Sequence, residues 1–377
     1  MADDTLDPGL EHVIAAETRL SHIDGEAGEL VVAGYPLAEL AGHATFEETV
    51  FLLRNDRLPT ESELDALRDD LRAHRDVPEV TRELLREAAE RGNGAMDAVR
   101  MGAASASLVR ETDDPERDAL LAVAQFPTIV GTYWRYRQGE DPLAPREDLG
   151  HAANYLYLLT GEVPDEARVR GLETYLNTVC DHGLNASTFA ARAIVSTETD
   201  VLSAVTGAVG ALKGPLHGGA PGPVLDMLRE VHESGDAVTW VREALSSGQR
   251  LMGFGHRVYE VRDPRAAVLS TAAERLFEDR PDADLFETAR ETERVAVDLL
   301  EEHKPGRQLE TNVEFYTAVL LCGVGVPQEL FTATFGVARV AGWTAHCLEQ
   351  LANNRIVRPR SRYVGERGRT WAALEAR

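Results

Sequence analysis

Apolar residues recur at three- and four-residue spacings from Thr45 to about Asn353, which leaves little sequence from which a large sheet could be built. Helix starts are marked repeatedly. Thr45-Phe46-Glu47-Glu48 and Thr60-Glu61-Ser62-Glu63 fit the reciprocal cap, in which a threonine takes the third amide and a glutamate reaches back. Asp114-Pro115 and Asp263-Pro264 pair an N-cap acid with proline at the first helical position. The first predicts a helix over 116–137 kinked at Pro127, the second a helix to about 279. Val201, Val205, Val209 and Leu212 mark one helical face. An amphipathic segment covers 284–303, stopping at Lys304-Pro305-Gly306, and another runs from Pro327 to about Asn353. Strand signals are confined to Leu30–Tyr35, after the Asp24-Gly25 turn, enough for a small ribbon. Strands and helices do not alternate, so the expected class is all-α.

A chain of 377 residues exceeds one typical core, and a large plus a smaller unit is expected. The Gly/Pro cluster 213–223, between two helices, is the candidate hinge. Uncharged stretches such as 201–212 and 315–328 are too short to span a bilayer. The acidic start does not read as a signal peptide, and Cys180, Cys322 and Cys347 read as reduced core thiols. The expected location is the cytoplasm. A net charge of −24 argues against a nucleic-acid partner. Lys213 and Lys304 are the only two lysines, which fits either a salty cytoplasm or an arginine-biased genome. Arginine bias would not produce the carboxylate excess, so the halophilic reading is preferred.

Four places carry candidate chemistry. His217 lies in Gly214-Pro215-Leu216-His217-Gly218-Gly219, ahead of a helix starting near Pro221. It reads either as an anion-facing loop or as a linker with an incidental histidine. In Gly253-Phe254-Gly255-His256-Arg257, a glycine-rich histidine loop precedes Arg265. That arginine sits in a first helical turn, where an acid would suit the dipole better, which suggests an anion docking there. Arg339, in an apolar helical run, needs a partner, either one of the chain's own acids or an incoming carboxylate. Glu314 reads locally as a first-turn acid behind the N-cap Asn312, and His182 as a core histidine near a helix break. A metal held by His182, His217 and His256 lacks close ligand spacing, and no serine elbow, phosphate loop or Cys-x-x-Cys pair occurs. No metal and no cofactor are expected.

In order along the chain, Glu17–Gly25, Asp181–Phe189, Gly214–Gly219, Gly253–Tyr259, Asn312–Tyr316 and Ile356–Arg360 resemble the citrate synthase family, of the short bacterial and archaeal type. The resemblance implies a two-domain helical fold, with 1–215 and 330–377 as the large, dimerising domain and 216–329 as the small one. It implies condensation of acetyl-CoA with oxaloacetate and hydrolysis of citryl-CoA to citrate and CoA. By position, His217 matches the enol-stabilising histidine, His256 the one that protonates the oxaloacetate carbonyl, and Glu314 the base. His182, Arg265 and Arg339 match oxaloacetate ligands along with both catalytic histidines, and Arg358 matches an arginine lent by the partner subunit of a homodimer. Gly253, Phe254, Gly255, Arg257, Lys304 and Arg307 are the candidate CoA contacts. Most members carry Asp where this chain has Glu314, so the resemblance is to the subgroup with Glu there. Alternatives are a 2-methylcitrate synthase using propionyl-CoA and a non-catalytic paralogue that binds CoA or oxaloacetate.

Overall fold

The computed structural model describes residues 6–10, 12–110, 113–218, 221–256, 258–259, 261–278, 280 and 283–377. Gly219 and Arg257 therefore lie outside the described residues. Near the N-terminus, β1 (Ser21–Asp24), β2 (Glu29–Val32) and β3 (Tyr35–Pro36) form an antiparallel ribbon in that order, with Ser21 opposite Val32. The ribbon exceeds the expected 30–35 because Asp24 Oδ1 accepts from the amides of Glu26 (3.1 Å) and Ala27 (2.8 Å), folding Ser21–Asp24 back onto β2.

The remaining elements are helices. The N-terminal group is α1 (Leu37–Ala41), α2 (Phe46–Asn55), α3 (Glu61–Ala73), α4 (Glu79–Glu90), α5 (Ala95–Ser105) and α6 (Pro115–Arg137). Both arms of the reciprocal cap are present at Thr45 and at Thr60. The Asp114 side chain accepts from the Glu116 amide, and α6 runs unbroken through Pro127. Next come α7 (His151–Thr160), α8 (Glu166–Val179), α9 (Ala186–Val195) and α10 (Val201–Leu212), the last burying Val201, Val205, Val209 and Leu212 as its spacing requires. The C-terminal group is α11 (Pro221–Ser234), α12 (Ala237–Ser246), α13 (Pro264–Phe277), α14 (Asp284–His303), α15 (Val313–Val324) and α16 (Phe331–Ala352). The segment from Pro327 is not one helix: a 3-10 turn, Gln328–Leu330, precedes α16.

α16 is the axis of the molecule. It packs on α6, α8, α9 and α10, and Arg339 and Trp343 on it are almost wholly buried. α11, α12 and α14 pack on one another, while α13 and α15 pack together and onto α8. One connected apolar cluster runs through all of these from Leu20 to Cys347. A buried polar chain crosses it. His346 Nε2 donates to Asp181 Oδ1 (3.1 Å), while its Nδ1 meets Arg192 (2.9 Å), which also pairs with Glu349 (2.6 Å). α16 approaches this chain closely at Gly342, where a β-carbon would stand 2.3 Å from the Cys180 carbonyl oxygen and 2.9 Å from Asp181 Oδ1. Gly342→Ala is expected to destabilise the protein by roughly 1–3 kcal/mol, because the opposing atoms are rigid; urea denaturation measures it.

Candidate active site

Three loops and two helix starts converge below α16. The first loop follows α8: the chain turns through Cys180 and Asp181 to present His182, then caps α9 with Asn185, whose Oδ1 accepts from the amides of Ser187 and Thr188. The second is the turn after α10. His217 sits in it, its amide donating to the Gly214 carbonyl (2.9 Å), and the next residue must be glycine: a β-carbon on Gly218 would stand 2.4 Å from the Leu212 carbonyl oxygen. His217 Nε2 lies 2.7 Å from Ser187 Oγ, which accepts from the buried Trp343 indole (3.0 Å) and donates to Asn185 Oδ1 (2.8 Å). When the serine hydroxyl turns its one proton from Asn185 Oδ1 to Nε2, Nδ1 carries the ring proton and His217 is a neutral donor. Burial, then the nearby Arg339 charge, pushes its pKa down to about 4, so it is neutral near pH 7.

The third loop, 253–256, is knitted to the segment before α15. Phe254 bridges Thr311, the Gly255 amide donates to the Glu310 carbonyl (2.7 Å), and the Asn312 amide donates to the Gly253 carbonyl (2.9 Å). Asn312 Nδ2 adds a bond to the Gly255 carbonyl (2.9 Å) while its Oδ1 caps the Glu314 amide. This short pairing ties the loop that carries His256 to the start of the helix that Glu314 opens. Asp263 fastens the same pieces from below. Its carboxylate grips Arg265 with two bonds, to Nε (3.0 Å) and Nη2 (2.8 Å), and accepts from the amides of Arg265 and Val313. The Asp263 amide donates to the Thr311 carbonyl (3.1 Å). The oddity of an arginine in a first helical turn is thereby explained, since its charge is met by a buried acid two residues earlier.

His256 has an unresolved demand. Its Nδ1 accepts from the amides of Val258 (3.0 Å) and Tyr259 (3.2 Å), so the neutral ring carries its proton on Nε2. That Nε2 faces Arg265 Nη2 at 3.1 Å, another donor. Two donors converge with no acceptor between them, which is the arrangement an incoming carbonyl or carboxylate oxygen would satisfy. Desolvation within the cleft, then the Arg265 charge, takes the His256 pKa to about 4, although part of the residue is open to solvent. His182 Nε2 lies 3.1 Å from Tyr259 Oη, and burial with Arg265, Arg339 and His256 nearby drives its pKa well below the ordinary value.

Arg339 is buried with no carboxylate within salt-bridge distance among the described residues. Nε donates to the Val179 carbonyl (2.7 Å) and the guanidinium lies over the Phe335 ring (4.6 Å). Burial lowers its pKa to about 10. Its charge acts on His182, His217 and Glu314 alike, and Glu314 also feels Arg265. Glu314 opens α15 half-buried, and burial raises its pKa to about 7 against the pull of both arginines. The result is neutral histidines as donors, two buried guanidiniums and one carboxyl poised near neutrality. Among the described residues no group of three His, Cys, Asp or Glu side chains could hold a metal.

A family model for the citrate synthase C-terminal domain matches residues 9–360. The chain belongs to the citrate synthase family. It is 42% identical over 379 residues to citrate synthase of Haloferax volcanii, covering 98% of each chain, and 36% identical to a citrate/2-methylcitrate synthase of Bacillus subtilis, covering 96% and 97%. It superposes on citrate synthase of Pyrobaculum aerophilum with a TM-score of 0.86 at 37% identity, over 98% and 94% of the two chains. The ternary complex of Thermoplasma acidophilum citrate synthase with carboxymethyl coenzyme A and oxaloacetate gives 0.88 at 28% identity, over 98% and 99%.

Of the residues the family resemblance singles out, His182, His217, His256, Arg265, Arg339 and Glu314 fall into this one electrostatic network. Arg358 does not. It lies exposed in the extended segment after α16, with no contact to these groups within its own chain. Phe254 is buried edge-on against Phe315 (5.3 Å), while Gly253 and Gly255 serve the backbone pairing; Lys304 and Arg307 are exposed at the turn after α14. Sequence reasoning missed Asp263 beyond its capping role, and missed Ser187 and Tyr259 altogether; an acid two residues before a first-turn arginine was the one available signal. Asp263→Asn leaves Arg265 buried with half its grip and is expected to cost about 3–5 kcal/mol in chemical denaturation.

Proposed function

We propose that this enzyme condenses acetyl-CoA with oxaloacetate and hydrolyses the citryl-CoA formed, releasing citrate and CoA. The observation that carries this reading is the pair of facing donors, His256 Nε2 and Arg265 Nη2, beside an unpaired Arg339 and a raised Glu314. Oxaloacetate brings two carboxylates for arginine forks and a ketone oxygen for the His256 proton. His217 donates to the thioester oxygen, so that Glu314 can take a methyl proton as the enol forms. The donated proton from His256 then meets the developing alkoxide. The reaction needs no metal or cofactor, since acetyl-CoA is itself the carbon donor.

The finer assignments follow from the same reading. Residues 1–215 with 330–377 form the large domain and 216–329 the small one, hinged near 213–223. The molecule is a homodimer, and Arg358 from each exposed C-terminal arm completes the oxaloacetate site of the partner subunit. CoA lies along the 253–257 loop, with Lys304 and Arg307 meeting its phosphates. The anionic surface and three free cysteines support a salt-adapted cytoplasmic enzyme. The 36%-identical relative named for both citrate and 2-methylcitrate favours some propionyl-CoA use, because one methylene changes binding by only about 1–3 kcal/mol.

Thiol release in the presence of oxaloacetate tests the chemistry, comparing acetyl-CoA with propionyl-CoA. Turnover should rise with pH through about 7, since the base acts ionised and its folded pKa lies there. Glu314→Gln should lose about 10²–10⁴-fold in kcat; near-normal turnover would remove Glu314 from the mechanism. Arg358 is tested by mixing subunits. Arg358→Ala and Glu314→Gln proteins, each impaired alone, should regain activity on co-assembly, because one site of the mixed dimer has both native residues. No recovery would place Arg358 in its own chain's site or outside it.

A further inference from the structure

Five tyrosines are buried: Tyr133, Tyr155, Tyr175, Tyr259 and Tyr316. Four have partners for their hydroxyls. Tyr133 donates to the Asn93 carbonyl (2.6 Å), Tyr155 meets Thr334 Oγ1 (2.8 Å), Tyr259 meets His182 (3.1 Å) and Tyr316 donates to Glu293 (2.6 Å). Tyr175 has none, although it is 0% exposed. Phenylalanine would fill that space without burying an unpaired donor, so packing alone gives no reason for the hydroxyl.

Its place in the fold suggests what the hydroxyl is for. Tyr175 lies on α8 one helical turn before Val179, whose carbonyl receives Arg339 Nε, and α8 packs on α16. α8 also packs on α15, the helix that Glu314 opens. Three groups act electrostatically on the phenol: Glu314 first, then Arg339 and Tyr155. Arg339 can only donate, and Tyr155, which donates to Thr334 while Thr334 donates to the Leu330 carbonyl, offers only a neutral oxygen. The Glu314 carboxylate is the strong acceptor among them, and its side chain has no hydrogen-bond partner of its own among the described residues. The charged groups that face Glu314 are Asp263 and Arg265 at the start of α13 and Arg339 on α16; Tyr175 on α8 is the neutral donor.

We propose that Tyr175 is a positioning residue for the base: in the substrate-loaded enzyme its hydroxyl donates a hydrogen bond to the Glu314 carboxylate. Glutamate has one more rotatable bond than aspartate, and a base whose carboxylate wanders by an ångström loses most of its rate. A fixed donor on α8 restricts that freedom and favours the ionised, proton-accepting form. The inference rests on Glu314 being the base, as proposed above.

Tyr175→Phe tests it, alongside Glu314→Gln, with kcat, KM for both substrates, the pH profile of kcat and thermal stability measured on each. The expected result for Tyr175→Phe is a fall in kcat of about ten- to a hundredfold with both KM values within about twofold. The acid limb of the profile should move to higher pH, because losing a donor to the carboxylate makes it easier to protonate. Melting temperature should hold or rise, since an unpaired buried hydroxyl is removed. An unmoved acid limb with normal kcat, while Glu314→Gln is inactive, overturns the positioning role and leaves the base intact. A raised KM for oxaloacetate with the limb unmoved also overturns it, assigning the hydroxyl to the substrate. Substantial turnover by Glu314→Gln would instead fail the underlying reading.

Discussion

The carboxylate of Asp263 ties the site together. One buried acid side chain caps α13, neutralises Arg265 through two bonds and takes the Val313 amide at the start of α15. The helix carrying Arg265 and the helix carrying Glu314 are thus held to a single pair of oxygen atoms. A buried ion pair of this kind adds little net stability, because removing both charges from water costs nearly what their attraction returns. What it fixes is geometry. The backbone pairing of 253–255 with 310–312 acts in parallel and brings His256 into the same frame.

Electrostatically the site inverts the surface around it. The exterior carries a large excess of carboxylates, and its many ion pairs are short-range contacts between exposed side chains that contribute little individually. Inside, Arg265 and Arg339 carry the charge: burial, reinforced by their field, depresses the pKa values of three histidines, and both arginines oppose the rise that burial gives Glu314. Histidines kept neutral can donate without adding to the positive charge that must hold a dianion. A carboxyl raised toward neutrality can both take and return a proton. In the proposed reaction the same two guanidiniums would hold the substrate carboxylates and tune the protonation of the groups around them.

Much of this was legible along the chain. Caps at Thr45, Thr60, Asp114 and Asp263 and the amphipathic run 284–303 appear where local chemistry puts them, because each depends on residues two to four apart. The candidate loops stood out by glycine next to histidine, and the ordered motifs identified the family. The N-terminal ribbon was only half visible, since β1 takes its strand character from pairing with β2 rather than from its own composition. Arg339 stayed ambiguous, because a sequence does not say whether a buried cation finds an acid 150 residues away. Ser187 and Tyr175 gave no local signal at all: a serine in the first turn of a helix and a tyrosine on a buried face are ordinary until their neighbours are known.

By itself the sequence determined the helical class, the capped helix starts, the carboxylate excess and the membership of a family, because those follow from short-range hydrogen bonding, periodicity, composition and motif order. Tertiary structure alone decided the partnerships: that Asp263 serves Arg265 and Val313, that His217 leans on Ser187, that Arg339 has no carboxylate within salt-bridge distance among the described residues and that the Tyr175 hydroxyl is buried without a partner. These pairings join groups from different loops and helices, and their strength depends on burial, which removes water from between them. Neither proximity nor dielectric is written in residue spacing, so the chemistry of the site belongs to the folded chain.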